Sequence, residues 1–185
     1  MKYKNEVIEN IMTRRSIRNY KDGAVARETM DEILNCGINA PSGMNRQSWE
    51  VRVIDNPETI AKFKSLLVAS NPETKAEAVE GCFRGAPTLV FVANDPSYEF
   101  SPIDCGLLSE NIMLSAWSLE VGSVCLGSPI RYLANLRRQP RCLASARVIF
   151  QSSALDWVTL TSHLMQNRGT RLKSNIWIKD ENYKR

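Results

Sequence analysis

The chain has 185 residues, 43% hydrophobic and 24% charged, with no apolar run near the roughly 18 residues of a membrane span, which suits a soluble domain with a buried core. Its formal charge of +4 is uneven: residues 1–130 carry 13 basic and 17 acidic side chains (net −4), and residues 131–185 carry 11 and 3 (net +8). Five cysteines without C-x-x-C spacing and a single histidine, His163, argue against a disulfide scaffold, a zinc ribbon or a multi-histidine metal centre, and fit free thiols in a reducing cytoplasm.

Met1-Lys2-Tyr3-Lys4 is followed by no apolar stretch, so a secretory signal is not expected. Residues 5–12 read as a short amphipathic helix with Val7, Ile8, Ile11 and Met12 on one face. The basic run Arg14-Arg15-Ser16-Ile17-Arg18 follows, then a turn at Asp22-Gly23. Residues 28–39 place Met30, Ile33, Leu34 and Ile38 at helical spacing, and the pattern stops before the loop chemistry of Pro41-Ser42-Gly43-Met44-Asn45. Residues 50–54 alternate as a strand around Val51 and Val53. Pro57 opens a helix to about Ala69, and a second runs from Glu73 to about Cys82. Residues 88–93 form an apolar strand candidate closed by Asn94-Asp95-Pro96. Residues 103–119 carry the longest helical pattern, apolar nearly all round, and are expected to form the buried central helix. Residues 121–126 read as a short strand between Gly122 and Gly127. There is no internal repeat, and the order of elements implies an α+β fold with helices packed on a modest sheet.

Two runs carry chemistry. Three guanidiniums and a hydroxyl in Arg14-Arg15-Ser16-Ile17-Arg18 match phosphate oxygens, although a solvated basic turn would use the same residues. In Pro41-Ser42-Gly43-Met44-Asn45-Arg46-Gln47-Ser48-Trp49, Gly43 permits close backbone approach, and Ser42, Asn45 and Gln47 offer hydroxyl and amide groups to a heterocycle's edge. A capped loop that buries Trp49 is the alternative.

Together, at this spacing, R-R-S-x-R and P-S-x-x-N-x-Q-x-W resemble the N-terminal signature of the nitroreductase family, and Gly122-Ser123-Val124-Cys125-Leu126-Gly127 is similar to its strand and glycine turn. Ser48 stands where the family usually has proline, a change expected to matter little for the loop. The resemblance implies an α+β nitroreductase-like homodimer, its helices packed on a small, mostly antiparallel sheet, with FMN at each subunit interface. It implies Arg14, Arg15 and Ser16 near the FMN phosphate or ribityl chain, and Arg18 at the ring's pyrimidine edge. Pro41, Ser42, Gly43, Met44, Asn45 and Gln47 would come from the partner subunit, and backbone groups of Leu126 and Gly127 would approach flavin N5. The implied reaction is ping-pong: NADH or NADPH reduces the flavin, which passes electrons to a nitroaromatic, quinone or similar acceptor. No side chain is assigned as catalytic, and no metal is required.

The C-terminal region departs from that pattern. The family ends on a segment like G-Y-P-x-E-x-P-x-x-K-P-R, whereas residues 158–170 read VTLTSHLMQNRGT. A coding string for GYPDESPDAKPRD, read one base later, translates to VTLTSHLMQNRGT. Residues 136–171 also hold six arginines, no lysine and one acid, Asp156. The tract therefore reads as frameshifted, with the family's tail returning near Lys173, and is expected to pack poorly. On that reading Arg137, Arg138 and Arg141 are no nucleic-acid patch, and the lysine and arginine that complete the phosphate site are missing, with Arg168, Arg171 or Lys173 as substitutes by proximity. The whole, residues 1–185, is taken as one cytoplasmic domain with an atypical tract at 136–171. A flavin-binding protein without turnover is the alternative function.

Overall fold

Alternation in two short strands sets the centre of the molecule. The computed structural model describes residues 5–136 and, beyond them, the backbone of 147–148, 158–159, 171–172 and 176–178. Strand β1 (Trp49–Ile54) pairs antiparallel with β2 (Leu89–Asn94), with Val51 opposite Val92 and Val53 opposite Val90. Because side chains alternate across a sheet, Trp49, Val51, Val53 and Val92 face one helical layer, while Ile54, Leu89 and Phe91 face another.

The first layer is α2 (Arg27–Ile38) and α5 (Ser101–Ser118), which bring Ile33, Leu34, Leu108 and Ile112 against β1. The second is α3 (Pro57–Ala69), α4 (Ala76–Gly81) and α6 (Ile130–Leu136), where Phe63 meets Phe83 and Phe91 edge-on at 5.6 and 5.5 Å. Pro57 stands at the first turn of α3, where its missing N–H costs nothing, and Asn56 caps it by accepting from the Thr59 N–H at 3.0 Å. Buried Asn71 donates to Leu67 O and Tyr132 O and accepts from Asn135, tying α6 to the end of α3.

Short strands β3 (Arg147–Val148) and β4 (Val158–Thr159) pair antiparallel. In the main sheet, of order β2-β1-β6-β5, β6 (Ile176–Ile178) lies parallel to β1 and antiparallel to β5 (Arg171–Leu172). The sheet is thus mostly antiparallel, as expected. The rest of the 136–171 tract, with its expected poor packing, lies outside the described residues, as do His163 and most of the arginine cluster.

Two expectations are corrected, for α5 and for residues 121–126. Helix α1 (Glu6–Thr13) forms as expected, capped by Asn5, with its apolar face turned outward: Val7 is 65% exposed, Ile11 52% and Met12 59%. The polar side faces α5 instead, with Asn10 donating to Leu114 O at 2.9 Å and Trp117 Nε1 donating to Thr13 Oγ at 3.0 Å. Helix α5 is buried along one side only, since Ile103 and Leu107 are exposed. Residues 121–126 make a single parallel bridge between Ser123 and Ser16 rather than a strand, because only Ser123 finds a partner edge. Helix α6 was not anticipated.

Candidate functional site

The arginine run leaves α1 and is caught by the glycine turn. Ile17 N–H donates to Ser123 O at 3.0 Å, laying 16–18 beside 122–124. The approach requires Gly122, where an added Cβ would lie 2.9 to 3.0 Å from Ile17 side-chain atoms. Tyr20 donates to Ile17 O at 2.6 Å and pins the far end, and burial raises its hydroxyl's pKa, partly offset by Arg18.

Within this frame Arg14 is half-buried, and its Nη1 is buried with no hydrogen-bond partner among the described residues. Arg15 is exposed and turns back to donate to Met12 O and Arg14 O, both at 2.8 Å, where it satisfies carbonyls at the C-terminal end of α1. Ser16 is exposed beside the bridge, and Arg18 donates to Ser16 O at 3.3 Å. Leu126 buries part of its side chain against the α3/α4 layer, leaving its backbone at the turn, and Gly127 is exposed with nothing near its missing Cβ.

The second run forms one 3-10 turn, Gly43–Asn45, beside the start of α5. Met44, Asn45 and Gln47 take φ of 53°, 55° and 48°, a left-handed conformation that disfavours ordinary side chains. Ser42 accepts from the Gln47 N–H at 2.9 Å and closes the loop on itself. Pro41, Met44 and Asn45 are exposed, and Gln47 is half-buried. Gly43 sits where a Cβ would lie 2.1 Å from the Tyr98 hydroxyl, and Arg46 stacks on that ring at 4.5 Å.

Sequence reasoning missed the residue beneath this loop. Asp104, 2% exposed in the first turn of α5, accepts from Gly43 N–H at 2.9 Å and from the Ser48 hydroxyl at 2.6 Å. Ser101 adds a hydrogen bond to Ser48 O. The available signal was an acid in a helix otherwise uncharged until Glu110. Ser48 therefore matters to the loop, contrary to expectation.

Two anchors lie near opposite ends of one helix. Loop 42–48 hangs from Asp104, and α1, which leads into the arginine run, is fastened at Leu114 and Trp117. Thirteen residues of helix separate Asp104 from Trp117, roughly 20 Å at about 1.5 Å per residue. Among the described residues no His/Cys/Asp/Glu cluster could hold a metal, and no helix is long and apolar enough to cross a membrane.

Among the described residues, the α+β domain thus holds a buried guanidinium nitrogen of Arg14 without a partner, and a polar loop on left-handed backbone fastened to Asp104. The chain belongs to the nitroreductase family, whose model matches residues 11–139. It is 39% identical over 137 residues to an FMN reductase [NAD(P)H] of Bacillus subtilis, covering 67% of this chain and 55% of that protein. It is 35% identical over 128 residues to a Methanothermobacter thermautotrophicus protein provisionally named an NADH dehydrogenase/NAD(P)H nitroreductase, covering 67% of this chain and 62% of that one. The chain thus spans less than two thirds of either relative. A nitroreductase with bound FMN from Desulfitobacterium hafniense superposes with a TM-score of 0.62 at 30% identity, covering 71% of this chain and 75% of that one. One from Bacteroides fragilis, also with bound FMN, gives 0.59 at 28%, covering 71% and 79%.

Proposed function

We propose that this chain is one subunit of a homodimeric, FMN-dependent oxidoreductase that takes electrons from NADH or NADPH and reduces nitroaromatic, quinone or similar acceptors. The observation that carries the reading is Arg14 Nη1, buried without a partner beside the Ser16–Ser123 bridge. A buried donor left without an acceptor costs about 1–3 kcal/mol, so a phosphate oxygen that accepts from it fits the site. Kinship with FMN-bound nitroreductases and with an FMN reductase supports the same ligand.

In this reading Arg14 and Ser16 hold the phosphate, with Arg15 beside them, and Arg18 places positive charge at the pyrimidine edge. The backbone of Leu126 and Gly127 lines the reactive side of the ring. Bound FMN supplies a two-electron relay between nicotinamide and acceptor. The protein's share is orientation, exclusion of water and charge at the ring edge, and no side chain need serve as a general acid. Loop 42–47 of the same subunit is tied to the far end of α5, so the ring's other face falls to Ser42, Gly43, Met44, Asn45 and Gln47 of a second copy. The outward apolar face of α1, with exposed Ile103 and Leu107, supports an interface between copies.

Purified protein should show flavin absorbance and sediment as a dimer. Mixing Arg14→Ala subunits with Asn45→Ala subunits should restore one intact site per heterodimer. A colourless protein after FMN incubation, or a flavin-loaded monomer, would overturn the reading. Bound flavin without NAD(P)H oxidation would instead support binding without turnover, a reading favoured by the end of the family match at residue 139.

A further inference from the structure

We propose that Asp104 is the positioning residue of the flavin-facing loop, and that Ser48 is its dedicated second ligand in this chain. The inference rests on the reading that loop 42–47 faces FMN. Its own basis is the hydrogen bonding under that loop.

Asp104 takes hold of the loop at both ends. One carboxylate oxygen accepts from the backbone N–H of Gly43, at the start of the turn, and the other from the hydroxyl of Ser48, at its exit into β1. Between these points lie Met44, Asn45 and Gln47, all with positive φ. Left-handed backbone at three non-glycine residues persists only where its surroundings over-determine it. The loop supplies restraints itself, Gln47 N–H to Ser42 Oγ at 2.9 Å and the backbone bonds Asn45 N–H to Ser42 O and Arg46 N–H to Gly43 O, both at 3.0 Å. From outside, the Ser101 hydroxyl and Asp95 N–H hold Ser48 O, and Asp104, fixed by its place in α5 and 2% exposed, is the side chain that reaches both ends of the loop. Its position near the N-terminal end of α5 also favours negative charge, through the unpaired N–H groups there.

Asp104 therefore holds Met44 and Asn45 in the exposed pose that a bound ring would meet, without touching the ring. Ser48 gives the carboxylate a donor where proline would supply none, so pose and affinity depend on that hydroxyl here. An apolar residue at 104 leaves two donors buried and unsatisfied. Asparagine does not, because its carbonyl accepts from Gly43 N–H and the Ser48 hydroxyl can rotate to accept from its amide.

The test uses full-length protein loaded with FMN, comparing wild type with Asp104→Ala, Asp104→Asn and Ser48→Ala. Readouts are FMN Kd and the visible circular dichroism of bound flavin, which reports the pose of groups around the ring. Asp104→Ala should raise Kd about tenfold or more, the loss of one charged hydrogen bond, and alter the dichroism. Asp104→Asn should return both most of the way. Ser48→Ala should raise Kd roughly three- to tenfold with a dichroism change of the same sign, and it carries the test if Asp104→Ala does not fold. Unchanged Kd and dichroism in Ser48→Ala and Asp104→Ala overturn the inference while the FMN reading stands. Asp104→Asn as impaired as Asp104→Ala overturns it equally. Wild-type protein that takes up no FMN overturns the functional reading and this inference with it.

Discussion

Replacing Arg14 by alanine separates a ligand-binding arginine from a structural one. Among the described residues its Nη1 has no partner, so truncation breaks no hydrogen bond at that atom and removes a buried polar group left unsatisfied. Apo-protein stability should stay level or rise. The FMN-bound protein should lose a charged hydrogen bond, about 1.5–3 kcal/mol, which weakens Kd about 10- to 150-fold. At FMN equal to 100 wild-type Kd, ligand stabilises the wild type by about 2.7 kcal/mol, and a variant with Kd raised about 100-fold by only ~0.4 kcal/mol. At roughly 2–4 °C per kcal/mol for a chain of this size, FMN should raise Tm by about 5–11 °C in wild type and by about 1–2 °C in Arg14→Ala. Thermal melts with and without FMN read both quantities. Arg14→Lys should recover only part of the shift, since an ammonium keeps the charge without the planar fork. An unchanged FMN shift, or an apo-protein destabilised by more than about 1 kcal/mol, would refute the reasoning.

Gly43→Ala should cost about 1–3 kcal/mol in urea melts because the new Cβ meets the Tyr98 hydroxyl. Tyr98→Phe in the same chain should recover most of that, and strictly additive effects would show that the contact is not the cause. Burial pushes the Cys105 thiol up to about 12 and the Cys82 thiol up to about 11, from an ordinary 9.0. The folded chain thus keeps thiol protons that the unfolded chain releases, so this stability is whole below pH about 9 and falls as pH rises toward those values, by at most about 1.4 kcal/mol per pH unit per group. Cys105→Ala should flatten the decline in urea midpoints between pH 9 and 11, and identical slopes would count against the assignment. Restoring the alternative frame across 136–171 should tighten FMN binding and raise Tm, whereas equal values in both proteins would mark the tract as a genuine variant.

Much of the fold could be read from residue pattern because the signals were local. Pro57 after Asn56 marks the start of α3, and the alternation around Val51 and Val53 marks β1 and its buried face. What the pattern could not show was which neighbour a face meets. The apolar stripe of α1 is genuine, yet the chain turns it outward and docks Asn10 and Thr13 on α5. Residues 121–126 have strand composition, but pairing needs a partner edge, and only Ser123 finds one. At the site, the arginine run and the serine-asparagine loop stood out because their chemistry is contiguous in sequence. Asp104 did not, since its meaning depends on Gly43 and Ser48, 61 and 56 residues away.

The length of α5 links these observations. Loop 42–48 is fastened at Asp104 near the start of α5, and the helix that leads into the arginine run is fastened near its end, so roughly 20 Å of helix lies between the two anchors. The sequence motifs are nevertheless both polar, both exposed in part, and both built on backbone that needs support: a glycine-dependent approach at Gly122 and a left-handed turn after Gly43. Support of that kind at two separated places has a use if each half-site meets the complementary half of another copy, related by a two-fold axis that gives each subunit one whole site's worth of parts. The same axis would cover the apolar face that α1 leaves open. On the proposed dimeric reading, the outward turn of Val7, Ile11 and Met12 and the roughly 20 Å of helix between the two anchors would have one cause, a folded unit that is half of the functional one.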